Sequence, residues 1–159
     1  MDFSDLVEPL GGKYADQFWL PSEKDLTFVE ETIGFELPAS YKQLVSEYGC
    51  SSWDNEESQI WYVWKSDEFQ KPENNIDIFY GANTPSGVND IVAGASNWLE
   101  GKPLLEFATA NFGDSFYLGD GGAVYFEPPQ DFRFPRGPTR KIAETFDQFL
   151  KNLETRKPE

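Results

Sequence analysis

The sequence predicts a single α+β domain, and three observations lead there. Apolar residues recur at helical spacing in two stretches near the start, Leu26 to Ile33 and Tyr41 to Tyr48, and again near the end, Phe146 to Leu153. Between them lie short runs rich in β-branched and aromatic residues, bounded by Gly, Asn, Asp and Pro. The later runs are joined by short connections, which favour antiparallel neighbours in a sheet. A chain of 159 residues with 39% hydrophobic and 16% aromatic residues is also long enough to bury a core without disulfides or metals.

Each element has its own signal. Residues 1–21 mix Gly, Pro and aromatics, as in Phe18-Trp19-Leu20-Pro21, and read as an arm packed on the domain. Ser22 with Asp25 three residues on is a variant of the capping box, so a helix is expected over Glu23 to Ile33, stopped by Gly34. Pro38 suits the start of a second helix, whose apolar face is Tyr41, Leu44, Val45 and Tyr48 and whose stop is Gly49. Ser51 to Glu57 reads as an acidic loop. Ile60 to Trp64 reads as a strand, with Trp61 and Val63 on one face and Tyr62 and Trp64 on the other.

Lys65 to Asn75 then reads as a loop, Ile76 to Tyr80 as a strand and Gly81 to Gly87 as a turn. Val88, Ile91, Val92 and Trp98-Leu99 suggest a third helix, weakened by Gly94. Three short strands follow at Leu104 to Ala108, Ser115 to Leu118 and Ala123 to Phe126, the last two joined by a Gly119-Asp120-Gly121-Gly122 turn. Pro128 to Pro138, with Arg133 and Arg136, reads as an extended loop. Thr145 and Gln148 form a capping box for a closing helix with the stripe Phe146, Phe149, Leu150 and Leu153, and Thr155 to Glu159 reads as a frayed end. The expected division is an arm over 1–21, a domain over 22–153 and a tail over 154–159.

Composition bounds the chemistry. There are 13 Lys plus Arg against 28 Asp plus Glu, a formal charge of −15. Such a field repels nucleic acid and anionic membranes and attracts basic proteins. The chain has no His, which removes the commonest general base and metal ligand, and one Cys, too few for a zinc site or an internal disulfide. No phosphate loop or dinucleotide fingerprint occurs. The reading is therefore not an enzyme, with no catalytic residues, no cofactor and no metal. The competing enzymatic reading is a carboxylate-held divalent cation at Asp114 and Asp120, although Asp is favoured in turns for its own backbone bonding. Cys50 follows a helix end and reads as a small, partly buried side chain. The N-terminus lacks the basic and apolar regions of a signal peptide, and the expected location is the cytoplasm.

Three motifs carry a family resemblance. The run Val29 to Leu44, with Ile33-Gly34-Phe35-Glu36-Leu37-Pro38-Ala39-Ser40-Tyr41 at its centre, resembles the helix-Gly-x-x-Leu-Pro-x-x-Tyr-helix signature of the SUKH superfamily, the Smi/Knr-type group. Gly113 to Leu118 followed by Gly121 to Phe126 resembles its Gly-Asp, strand, turn, strand core, and Ile142 to Leu150 resembles its closing helix. Residues 51–100 match no part of that pattern. The resemblance implies an α+β fold with a mixed, largely antiparallel sheet flanked by helices. It also implies a protein-binding role: many bacterial members are immunity proteins that neutralise a cognate polymorphic toxin, often a nuclease, and others are regulatory or scaffold domains.

The partner surface expected from the residues lies in the unmatched region. Trp53, Asp54, Glu56 and Glu57 put a tryptophan beside three carboxylates, and Trp64, Asp67 and Glu68 repeat the combination. Tryptophan supplies packing area and carboxylates pair with Arg or Lys, so the expected partner is a basic protein, with no nucleic acid and no membrane. The alternative is that Trp53 packs on the core while the acids solvate the loop. Oligomeric state is left open.

Overall fold

The first helix forms where its caps stand. In the computed structural model of the chain, which describes residue 5 and residues 19–52, 59–63, 73–95, 98–99, 102–110, 113–127 and 139–157, helix α1 spans Glu23–Ile33. The Asp25 N–H donates to Ser22 Oγ at 3.2 Å, and the Ser22 N–H donates to the Asp25 carboxylate at 2.8 Å. This reciprocal pair satisfies two donors that a helix start leaves open. Gly34 ends the helix at φ 83°, a left-handed value that glycine adopts without penalty. Helix α2, Ala39–Tyr48, follows Pro38 and buries Tyr41, Leu44 and Val45.

The remaining elements are β1 (Ser51–Ser52), β2 (Gln59–Val63), β3 (Glu73–Phe79), α3 (Ile91–Gly94), β4 (Trp98–Leu99), β5 (Lys102–Pro103), β6 (Leu105–Ala110), β7 (Ser115–Leu118), β8 (Val124–Glu127), β9 (Arg140–Ala143), α4 (Phe146–Lys151) and β10 (Leu153–Arg156). The main sheet runs β10-β2-β3-β6-β7-β8-β9, with β1 also on β3; β4 and β5 form a separate pair. Every ladder is antiparallel, and the parallel contribution among the described residues is one bridge between Gly81 and Asp90. The α+β class is thus as expected, and the sheet is antiparallel in every ladder where a mixed, largely antiparallel one was expected.

Several elements differ from expectation. Glu73 to Asn75 belong to β3 rather than to a loop. The third helix shrinks to α3, because Asp90 caps it by accepting from the Val92 and Ala93 N–H groups while Gly94 ends it, and Trp98-Leu99 pairs as a strand instead. The closing helix stops at Lys151, so Leu153 is a strand residue, although all four stripe residues are buried. Thr155 and Arg156 are not frayed: β10 pairs with β2, Glu154 opposite Trp61 and Arg156 opposite Gln59.

The sheet is strongly curled. Laid flat, a path of this many strands would separate β9 from β10 by about 29 Å. Yet Ala143 and Leu153 are joined by a short helix and two links that reach about 25 Å. The curl has a direct witness: the Tyr62 hydroxyl on β2 donates to the Ile142 carbonyl on β9 at 2.9 Å. Inside the curl, Tyr62 stacks on Phe149 at 5.2 Å, and Phe107 meets Tyr41, Phe146 and Phe149 edge-on at 5.5–5.8 Å. Such edge-on and offset pairs add about 0.5–1.5 kcal/mol each beyond area burial. This aromatic core joins α2, α4 and the inner sheet face.

Candidate functional site

The predicted surface residues Trp53, Asp54, Glu56, Glu57, Trp64, Asp67 and Glu68 all lie outside the described residues. Their frame is described. Ser52 opposes Ile78 and Ile60 opposes Ile76, so β1 and β2 follow one another along the same side of β3. Segment 53–58 joins them at one end of β2, and segment 64–72 joins β2 to β3 at the other.

β2 alternates as its composition demands. Ile60 and Tyr62 are buried, while Gln59, Trp61 and Val63 are half-exposed on the outer face. The Trp61 indole N–H donates to Gln59 Oε1 at 3.1 Å, and the Arg156 guanidinium sits 4.9 Å from the Trp61 ring, itself paired with Glu154.

The outer face continues over β6, β7 and β8. Phe107, Phe116, Leu118, Val124 and Phe126 point into the core, so the residues between them point out. Register then assembles two lateral rows. Glu106 opposes Tyr117, which opposes Tyr125, which opposes Lys141; beside them Thr109 opposes Ser115, which opposes Glu127. Hydrogen bonds run between the rows. Glu106 Oε1 accepts from the Tyr80 hydroxyl and, at 3.2 Å, from the Ser115 hydroxyl; Glu127 Oε2 accepts from the Tyr117 hydroxyl at 2.7 Å. Burial pushes the Tyr80 hydroxyl up in pKa, and the Glu106 carboxylate beside it pushes the same way, so it stays a donor at neutral pH. The Tyr125 ring lies over Gly119, where a Cβ would come within 2.7 Å of it. Glu127 is itself buried, so the face presents the half-exposed Glu106 carboxylate in a fixed orientation beside the rings of Tyr117 and Tyr125, a surface that suits guanidinium and ammonium groups.

The sequence reading missed this face. Its signal was alternation in strands already recognised, with Glu106, Tyr117 and Tyr125 each one position from a core residue.

The remaining candidates separate. Asp114 is buried at one end of β7 and Asp120 is exposed in the turn at its other end, so the strand holds them about 13 Å or more apart. No group of three or more potential metal-ligating side chains converges among the described residues. Cys50 is half-buried, and burial raises its thiol pKa.

The motif segments pack against one another. Pro38 lies against the β7–β8 turn, where a Cβ on Gly122 would meet its ring at 2.9 Å, and Tyr41 contacts Phe146 of α4 at 5.3 Å. They build the fold rather than the outer face. A family model described as SMI1 / KNR4 family (SUKH-1) matches residues 20–152. No curated protein matches the chain, and no solved structure does.

Proposed function

The chain belongs to the SMI1/KNR4 family (SUKH-1), and from that premise we propose that it is an immunity protein that binds and neutralises a cognate polymorphic toxin. Family membership carries the reading. A net charge of −15 and the outer-face row of Glu106, Tyr117 and Tyr125 support a basic protein as the partner. Segments 53–57 and 64–68, at the two ends of β2, extend the same acidic and aromatic chemistry. The role needs no catalysis, because a toxin is silenced by occupying its surface.

The test is co-expression with the product of a neighbouring gene that encodes a basic toxin, reading survival and co-purification. Protection is expected, with Trp61→Ala together with Glu106→Gln weakening the complex by about 2 kcal/mol or more. Association should slow as salt rises, since steering by exposed charge is screened beyond about 10 Å at 0.1 M. A chain that neither binds nor protects belongs to the second reading, a regulatory or scaffold domain of the same fold with a non-toxin client.

A further inference from the structure

Four large apolar side chains stand exposed among the described residues: Trp19 at 42%, Leu20 at 52%, Phe28 at 50% and Val88 at 61%. They gather at one end of the molecule. The Ala82 N–H donates to the Trp19 carbonyl at 2.9 Å. Asn83 Nδ2 donates to Asp25 at 3.1 Å, one helical turn before Phe28. Thr84 Oγ1 donates to the Val88 carbonyl. These bonds tie residues 19–20, the first turns of α1 and the loop 82–90 into one surface.

The same surface holds every non-glycine residue of left-handed backbone among those described: Trp19 at φ 58°, Asn83 at 57°, Ser86 at 59° and Asn89 at 55°. Asparagine tolerates that region, whereas a bulky aromatic does not. Gly81 allows the close approach that fixes Trp19: a Cβ there would lie 2.7 Å from the Trp19 carbonyl oxygen and 2.6 Å from the Cys50 nitrogen. Single exposed apolar residues need no explanation, but strained backbone at a partly exposed tryptophan is a feature that clusters at binding sites.

We propose that this end is a second docking surface, whose occupant is a protein segment with apolar side chains set between Lys or Arg residues. Charge selects the occupant. Glu23, Asp25, Glu30 and Glu31 lie on α1 against Lys24, and Lys42 of α2 pairs with Glu30 at 3.1 Å, so this surface stays net acidic. A second copy of this chain would bring another −15 to the contact. The surface is separate from the outer sheet face and does not depend on whether the partner is a toxin.

The probe is a helical peptide with one leucine face and one lysine face, titrated into isotope-labelled protein, with a leucine–glutamate counterpart as control. Resonances of residues 19–28 and 82–90 shift with the lysine peptide and not with its counterpart. Phe28→Ser with Val88→Ser weakens binding at least about tenfold at unchanged melting temperature, because both side chains are already exposed. Shifts confined to the outer sheet face, or an affinity that the double substitution leaves intact, would overturn the proposal. So would a dimer in sedimentation that the double substitution dissolves. The toxin survival assay reads separately, so either proposal can fail without the other.

Discussion

Two tyrosines of equal burial behave differently. Tyr41 and Tyr62 are each 1% exposed. The Tyr62 hydroxyl donates to the Ile142 carbonyl, whereas the hydroxyl of Tyr41, whose ring packs edge-on against Phe107 and Phe146, has no hydrogen-bond partner among the described residues. Burial raises both hydroxyl pKa values, so both remain neutral donors at ordinary pH. An unmade buried hydrogen bond costs about 1–3 kcal/mol, and a made one contributes about 1 kcal/mol net. Tyr41→Phe should therefore leave stability unchanged or raise it by about 1 kcal/mol, and Tyr62→Phe should lower it by about 1–2 kcal/mol, in urea unfolding at constant m. A Tyr41→Phe variant that loses as much as Tyr62→Phe would show that the Tyr41 hydroxyl is satisfied after all. The spacing Tyr41, Leu44, Val45, Tyr48 made Tyr41 legible as core. Nothing local announced that its hydroxyl would lack a partner among the described residues, because the rings packed against it arrive from β6 and α4.

At the scale of elements, legibility followed the range of the forces involved. The boundaries of α1 and α2 were readable because caps, stops and apolar spacing all lie within a turn or two of the helix. β9 and β10 were not, because Arg140-Lys141-Ile142-Ala143 and Leu153-Glu154-Thr155-Arg156 become strands only by pairing with β8 and β2. The outer-face rows were half legible. Alternation puts Glu106, Tyr117 and Tyr125 on outward positions, but aligning them needs the register, which shifts between Glu106 and Ala108 and again between Val124 and Tyr125. The β7–β8 turn offers a matched test. Gly121 and Gly122 have φ values of 77° and 82°, but a Cβ on Gly121 meets nothing, whereas one on Gly122 meets Pro38 at 2.9 Å. Gly121→Ala should cost about 1 kcal/mol for backbone strain alone, and Gly122→Ala clearly more, about 2–3 kcal/mol, by thermal melting. Equal costs would mean that Pro38 and the turn do not press on each other.

At the scale of the whole molecule, the last strand holds the curled sheet together. α4 crosses from the β9 side to the β10 side, and β10 then covers the edge of β2. Leu153 is buried beside Tyr62, its neighbour in register, and Arg156 lies over Trp61. Removing residues 153–159 therefore strips one buried leucine, worth about 1.5–3 kcal/mol, together with the ladder on that edge. The expected loss is roughly 3 kcal/mol or more, a large fraction of the 5–15 kcal/mol typical of a domain. It should appear as a fall in melting temperature together with concentration-dependent association, because β2 becomes an open edge. Removing only residues 157–159 should change neither, since the strand ends at Arg156. The contrast bears on function as well. β2 carries Trp61 and is flanked at both ends by the segments expected to meet the partner, so the longer truncation should also abolish protection from the toxin, and the shorter one should preserve it.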